Sequence, residues 1–252
     1  MRFADHGAGR HGQANGEGAA VKLAIMQPYL FPYIGYFQLL AAVDRFVFYD
    51  DINYIKNGWV NRNRLFLAGA VRYMTVPLAG ASSFQTIDVV APEPGEHWKK
   101  KLLESVRHGY AKAPHYRLAH EMLASVIHGD HSSIGALASA SVRIVCEYVG
   151  LDTELVDSSR QYGNAQLAGE ARVIDICLRE RASRYLNAPG GAGLYDKAHF
   201  AEHGIALEFI VPRLAPYPQL GPAFQPGLSI LDVLMFNDAR AARELIAAGV
   251  VT

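Results

Sequence analysis

The sequence predicts an α/β protein whose mostly parallel, Rossmann-like sheet is interrupted by a helical insertion at about residues 97–150. Three observations lead there. Short apolar runs alternate with helical periodicity at both ends of the chain, the middle reads as helix alone, and the most polar loops fall directly after strands.

Residues 1–20 are rich in glycine and poor in large apolar side chains, too poor to offset the entropy of ordering them. They read as a disordered extension, and residues 21–252 as one domain. Residues 21–26 form an apolar run stopped by Pro28, as expected of a buried strand; a helix over 37–43 and a strand over 45–49 complete a unit of βαβ size. Residues 64–67 and 71–77 flank Ala68-Gly69-Ala70 and read as a hairpin, with a further strand at 86–90. From Trp98 the period lengthens. Trp98, Leu102, Val106 and Tyr110 share one helical face, Tyr116, Leu123 and Ile127 another, and Ile134, Leu137, Val142, Val145 and Val149 a third, which together suggest an inserted bundle or cap. Alternation then returns: strand 153–156, helix 167–181, strand 183–186, helix 196–202, strand 205–211 and closing helices 228–236 and 239–247.

Composition narrows the function classes. Lysine plus arginine equals aspartate plus glutamate at 24 each, so no global field favours nucleic acid or an anionic membrane, and neither is an expected partner. No apolar run approaches the roughly 18 residues of a membrane span, and no secretory signal is read. Cys146 and Cys177 sit at apolar helical positions, which suits reduced thiols and a cytoplasmic protein. The 10 histidines lack ligand spacing, so no metal site is assigned to them. No G-x-S-x-G elbow is present.

Two loops carry the chemistry. Residues 27–37 follow the first strand and enter a helix, the place where open α/β sheets bind ligands; Gln27, Tyr33 and Tyr36 offer hydrogen bonds there, and Gly35 permits close approach. Residues 50–64 follow the second strand and mix charge with large rings. Asp50 and Asp51 suit proton transfer or a magnesium ion, Lys56 and Arg62 suit phosphate or carboxylate, and Tyr54, Trp59, Asn61 and Asn63 suit substrate. Facing them, Ser158 and Ser159 lie past a strand. The loop 187–196 has Gly190 and Gly191 to let backbone amides meet an anion, and then Tyr195. Ser229 reads as a helix cap with Asp232 as its reciprocal acid.

The run from Leu23 to Leu39, with Gln27-Pro28-Tyr29-Leu30-Phe31-Pro32-Tyr33-Ile34-Gly35-Tyr36-Phe37, closely resembles the opening of the WbqC-like protein family. So do Phe48-Tyr49-Asp50-Asp51 with Tyr54, Lys56, Trp59, Asn61, Arg62 and Asn63, then Ser158-Ser159, the Asn187 to Asp196 loop, and Pro226-Gly227-Leu228-Ser229-Ile230-Leu231-Asp232. The resemblance implies a bacterial protein of lipopolysaccharide O-antigen biosynthesis, described as a glycine transferase. The strand, proline turn, glycine and helix also resemble the start of the HIGH-motif nucleotidyltransferases, which hold ATP phosphates at this turn. Here Tyr33 and Tyr36 flank Ile34-Gly35 where that family has histidines.

The expected activity is transfer of a small acyl or aminoacyl group, glycyl being one candidate, to an amino sugar or sugar nucleotide. Asp51 is the expected base and Asp50 its orienting partner. One alternative is activation of a carboxylate or phosphate, with ATP and magnesium as cofactors. Another is a non-catalytic sugar-nucleotide-binding protein.

Overall fold

Along the central strands, successive side chains point to opposite faces, and both faces are buried. The computed structural model describes residues 20–252; the expected extension lies outside the described residues except for Ala20. The chain opens with β1 (Val21–Met26), α1 (Ile34–Ala41) and β2 (Arg45–Phe48), then the hairpin β3 (Arg62–Leu67) and β4 (Ala70–Thr75). Helices α2 (His97–Tyr110), α3 (Tyr116–His128) and α4 (Ile134–Val149) follow. The rest alternates: β5 (Glu154–Val156), α5 (Gly169–Arg179), β6 (Ala182–Asn187), α6 (Lys197–Glu202) and β7 (Ala206–Val211), closed by α7 (Ile230–Phe236), α8 (Ala239–Ala247) and β8 (Val250–Val251).

The sheet runs β5-β2-β1-β6-β7-β8. All neighbours are parallel except β8, a short antiparallel edge strand absent from the sequence reading. Ala24, Phe46, Phe48, Leu186 and Ile210 face one core, which they share with α1, α2, α3, α4, α7 and α8. Leu23, Ile25, Val47, Tyr185 and Leu207 face the other, against Val173, Ile176 and Cys177 of α5 and Phe200 of α6. The parallel sheet with a helical segment mid-chain is therefore as expected. The three inserted helices are not a separate cap, however, because Leu102, Leu123 and Val142 join the same core as α1 and α7.

A second difference is at residues 86–90, which form no strand. Thr86 makes a single bridge to Asn53, Ile87 and Asp88 donate to the carbonyls of Ile52 and Asp50, and the chain then turns as Val89 and Val90 both donate to Thr86. The hairpin β3–β4 stands apart from the main sheet. Both cysteines are buried and free. Among the described residues, no helix is long and apolar enough to cross a membrane.

Ser229 caps α7 as expected, accepting from the Leu231 amide, but Asp232 does not reach back to it. Asp232 is instead fully buried and takes three donors: Tyr110 Oη at 2.6 Å, Tyr217 Oη at 2.7 Å and Gln219 Nε2 at 2.6 Å. Tyr110 Oη in turn accepts from the Phe66 amide of β3 at 2.9 Å. Burial raises the Asp232 carboxyl above its ordinary value, against the hydrogen bonds from Tyr110, Tyr217 and Gln219, which lower it. One carboxylate thus ties α2, α7, the hairpin and the loop before α7 together. In Asp232→Asn, an amide N–H would face a hydroxyl that already donates, at a cost of about 1–3 kcal/mol. Urea unfolding should show a lower midpoint with an unchanged slope.

Candidate functional site

The strand order reverses between β1 and β6. The connection from β1 leads through α1 to β2 on one side, whereas β6 leads through α6 to β7 on the other. Loops leaving the two strands at such a point diverge and open a crevice at their carboxyl ends, where open α/β sheets bind ligands. A cavity of about 690 Å³ lies there, a volume suited to a medium-sized organic ligand. Gln27, Tyr29, Tyr33, Gly35 and Tyr36 line it from the first loop, and Asn187, Gly191, Leu194 and Tyr195 from the second. Trp59, Asn63 and Arg64 enter from the hairpin side, and Gly227 from the loop before α7.

Each wall has a physical cause. Tyr36 Oη donates to the Gln27 carbonyl at 2.9 Å, which folds the first loop onto its own helix. A Cβ on Gly35 would lie 2.5 Å from the Tyr33 ring, so only glycine lets that ring cover the first turn of α1. Tyr33 supplies no capping side chain and the first turn holds no acid, so the positive end of the α1 dipole is unopposed beside the cavity. Asn63 Nδ2 donates to the carbonyls of Leu30 and Phe31 at 3.1 and 3.0 Å, which staples the hairpin to the first loop. Burial raises the phenols of Tyr29, Tyr33, Tyr49 and Tyr195 above their ordinary value; for Tyr49 the neighbouring Arg172 works in the opposite direction.

The structure divides the residues singled out in the sequence. Gln27, Tyr33, Gly35, Tyr36, Trp59, Asn63, Gly190, Gly191 and Tyr195 converge on the cavity. Asp50, Asp51, Lys56, Arg62, Tyr54, Asn61, Ser158 and Ser159 do not line it. Asp51 is bound instead of free: Oδ2 accepts from Arg172 Nη2 at 2.6 Å, and Oδ1 from the Ser159 hydroxyl. Both side chains of the ion pair are nearly fully buried, at 3% and 5% exposure. A carboxylate held on both oxygens is a poor base, and the expectation that Asp51 takes a substrate proton does not fit this placement.

Asp50 accepts from Ser158 Oγ at 2.6 Å and from the Ser159 amide at 3.2 Å. Burial raises its carboxyl and the Ser158 hydroxyl lowers it. Ser158 and Ser159 therefore serve the two aspartates. Tyr54 Oη donates to Asn61 Oδ1 at 2.8 Å, and Asn61 Nδ2 to the Val76 carbonyl at 2.8 Å, so both are internal ties. Arg62 donates to the Gly58 and Asn57 carbonyls and stacks over Tyr73, while Lys56 is exposed on the loop. Neither lines the cavity.

The second loop is also less open than expected. The amides of Gly191, Ala192 and Leu194 donate within the loop, to Ala188, Pro189 and Gly191, and so form no cradle for an anion. Gly191 is small for another reason: a Cβ there would lie 2.5 Å from Asn187 Nδ2. Nothing lies within 4 Å of the corresponding position on Gly190.

Sequence reasoning missed Tyr29, Tyr49, Asn187 and Gly227 in the lining, and above all Arg64 and Arg172. Arg172 lies on α5, far from the loops in sequence. Its guanidinium is 5.0 Å from the centre of the Tyr49 ring, and its Nε donates to Asn164 Oδ1 at 2.9 Å. Asp51 is therefore linked to the cavity lining through Arg172 and Tyr49. Among the described residues, no group of three or more histidine, cysteine, aspartate or glutamate side chains is placed to hold a metal ion. Asp51→Ala would leave Arg172 buried without its counter-ion, and the unfolding free energy should fall by about 3–5 kcal/mol. A variant that kept full stability in urea would contradict this structural role.

Comparison with known proteins agrees with the extent of these features. A protein of Mycobacterium tuberculosis, the uncharacterized protein Rv1507c, is 31% identical over 218 residues, covering 86% of this chain and 93% of the relative. No solved structure matches this chain. The model of the WbqC-like protein family matches residues 27–244, from the first residue of the cavity loop into α8. The chain belongs to the WbqC-like protein family.

Proposed function

We propose that this protein is a group transferase that acylates the amine of a nucleotide-linked sugar, with glycyl as the acyl group, in the surface-polysaccharide biosynthesis that its family resemblance implies. The observation that carries this proposal is the cavity at the strand-order reversal, where ring-bearing side chains from two loops and the hairpin meet the start of α1, which has no side-chain cap. Trp59 and the tyrosines supply flat faces for a base or a sugar. Gln27 and Asn187 supply the few polar groups that orient a bound ligand.

Among the described residues, no carboxylate or imidazole lines the cavity. The catalytic contribution we assign is therefore orientation and hydrogen-bond donation, not proton abstraction by a side chain. The amine attacks the carbonyl carbon of an activated donor, an ester or an acyl phosphate. The C–N bond forms as the bond to the leaving group breaks, and the ammonium proton follows the leaving group. Tyr33 and Tyr49, kept protonated by burial, donate to the oxygen that becomes negative. Asp51 and Arg172 hold Tyr49 in place.

Incubation with an amine-bearing nucleotide sugar and activated glycyl donors, read by mass spectrometry, should yield a product heavier by one glycyl residue. No product from any amino sugar donor pair, despite clear ligand binding, would leave a non-catalytic sugar-nucleotide-binding protein. Once turnover is found, Tyr33→Phe should lower kcat by about 100-fold with little change in KM, as loss of an oxyanion donor does. Trp59→Ala should act the other way, raising KM more than it lowers kcat.

A further inference from the structure

Of the described residues that line the cavity, Arg64 alone has a charged side chain. Its Nη2 donates to the Gly227 carbonyl at 2.9 Å, and its guanidinium carbon lies 5.6 Å from the centre of the Trp59 ring. Gly227 has φ +67, and a Cβ there would come within 3.2 Å of Nη2, so this glycine both makes the turn and lets the arginine lie close. Among the described residues no carboxylate pairs with Arg64, in contrast to Arg172, which is matched by Asp51 and Asn164. Arg64 Nε is buried with no partner, and Nη1 makes no hydrogen bond among the described residues. The buried Nε left without an acceptor costs free energy, and the rest of this half-buried cation has no protein anion to balance it.

The backbone sets this cation beside the start of α1. The Ser229 amide donates to the Arg64 carbonyl at 2.9 Å, and Ser229 is bridged in turn to Tyr33, the residue before α1. Arg64 and the helix start together offer about one and a half positive charges. A nucleoside triphosphate brings roughly four negative charges, far more than this lining balances, whereas a diphosphate diester brings about two. A lone small carboxylate brings one but leaves most of the 690 Å³ unfilled.

We propose that Arg64 is the anion anchor of the cavity and that its ligand is the diphosphate diester of a sugar nucleotide. This rests on the cavity being the substrate site, as proposed above. It also separates Arg64 from Lys56 and Arg62, which the sequence had offered for that task.

Calorimetry with UDP-N-acetylglucosamine, ADP, ATP and inorganic phosphate tests it on the full chain. UDP-N-acetylglucosamine should bind more tightly than ATP without magnesium, and its affinity should fall with added salt. Arg64→Gln should weaken it by at least about tenfold, as expected for a lost charge-assisted contact, and flatten the salt dependence. Arg64→Lys, which keeps the charge without the fork, should recover part of the loss. Arg240→Gln on the outer face of α8 should bind as the wild type does, and matching thermal melts show that each variant is folded. Sugar nucleotide affinity unchanged in Arg64→Gln would remove Arg64 as the anchor while leaving the cavity as the site. ATP bound as tightly as the sugar nucleotide would overturn the charge match. Failure of every probe to bind would sink the proposed site itself, and the anchor with it.

Discussion

Phe31 holds a left-handed backbone, with φ of 37, in the middle of the loop between β1 and α1. A bulky side chain resists that conformation, and it persists only where its surroundings impose it. Here they come from three directions. The Phe31 amide donates to Ser141 Oγ of α4 at 2.8 Å, while its carbonyl accepts from Asn63 Nδ2 of β3 at 3.0 Å and from Ser229 Oγ at the start of α7 at 2.7 Å. The ring itself is fully buried. The inserted helices, the hairpin and the C-terminal helix are thus fastened to one strained residue, and that residue fixes the direction in which the chain enters α1. Tyr33, Gly35 and the α1 start face the cavity because this junction is fixed.

Asp232 does for the outer wall what Phe31 does for the inner one. It binds Tyr110 of α2 and draws in Tyr217 and Gln219 from the loop that carries Gly227. The two junctions share the hairpin: Asn63 reaches Phe31, and the Phe66 amide reaches Tyr110. Arg64 lies between them on the same strand. Its position is therefore set by long-range ties on both sides, and this is why a short, isolated hairpin can present a cation to a cavity built by the main sheet.

The order and type of most elements were legible in the sequence because they rest on local pattern. The α8 helix carries a clear apolar face, and α4 has a polar cap in Ser133, which accepts from the Ala136 amide. The loops of the site were legible for the same reason: they are the polar segments that follow β1 and β6. What local pattern does not contain is which polar residue meets which. Asp51 and Arg172 stand 121 positions apart, and nothing around either announces the other. Taken alone, Asp50-Asp51 has the composition of a catalytic pair; only its burial against Ser158, Ser159 and Arg172 shows that its oxygens are occupied. Arg64 was passed over for the converse reason. It shares a strand face with Arg62, and only the tertiary position of Trp59 and Gly227 separates the arginine beside the cavity from the one that ties its own loop.

This division has a chemical consequence. A network of paired charges runs from Asp88 and Arg160 through Ser158, Ser159 and the aspartates to Arg172, Asn164 and Asp175, and its Arg172 lies against the Tyr49 ring. Among the described residues, the cavity lining is aromatic, aliphatic and amide, with a single cation. A largely uncharged, ring-lined wall costs little to desolvate when an organic ligand enters, whereas exposed carboxylates would repel any anionic group on it. Rigid charge placed behind the wall still orients it, because Arg172 fixes the Tyr49 ring at 5.0 Å without contacting the cavity. The aspartates after β2 thus bear on the cavity through geometry alone, and the groups that line it are phenols, amides, apolar side chains and Arg64.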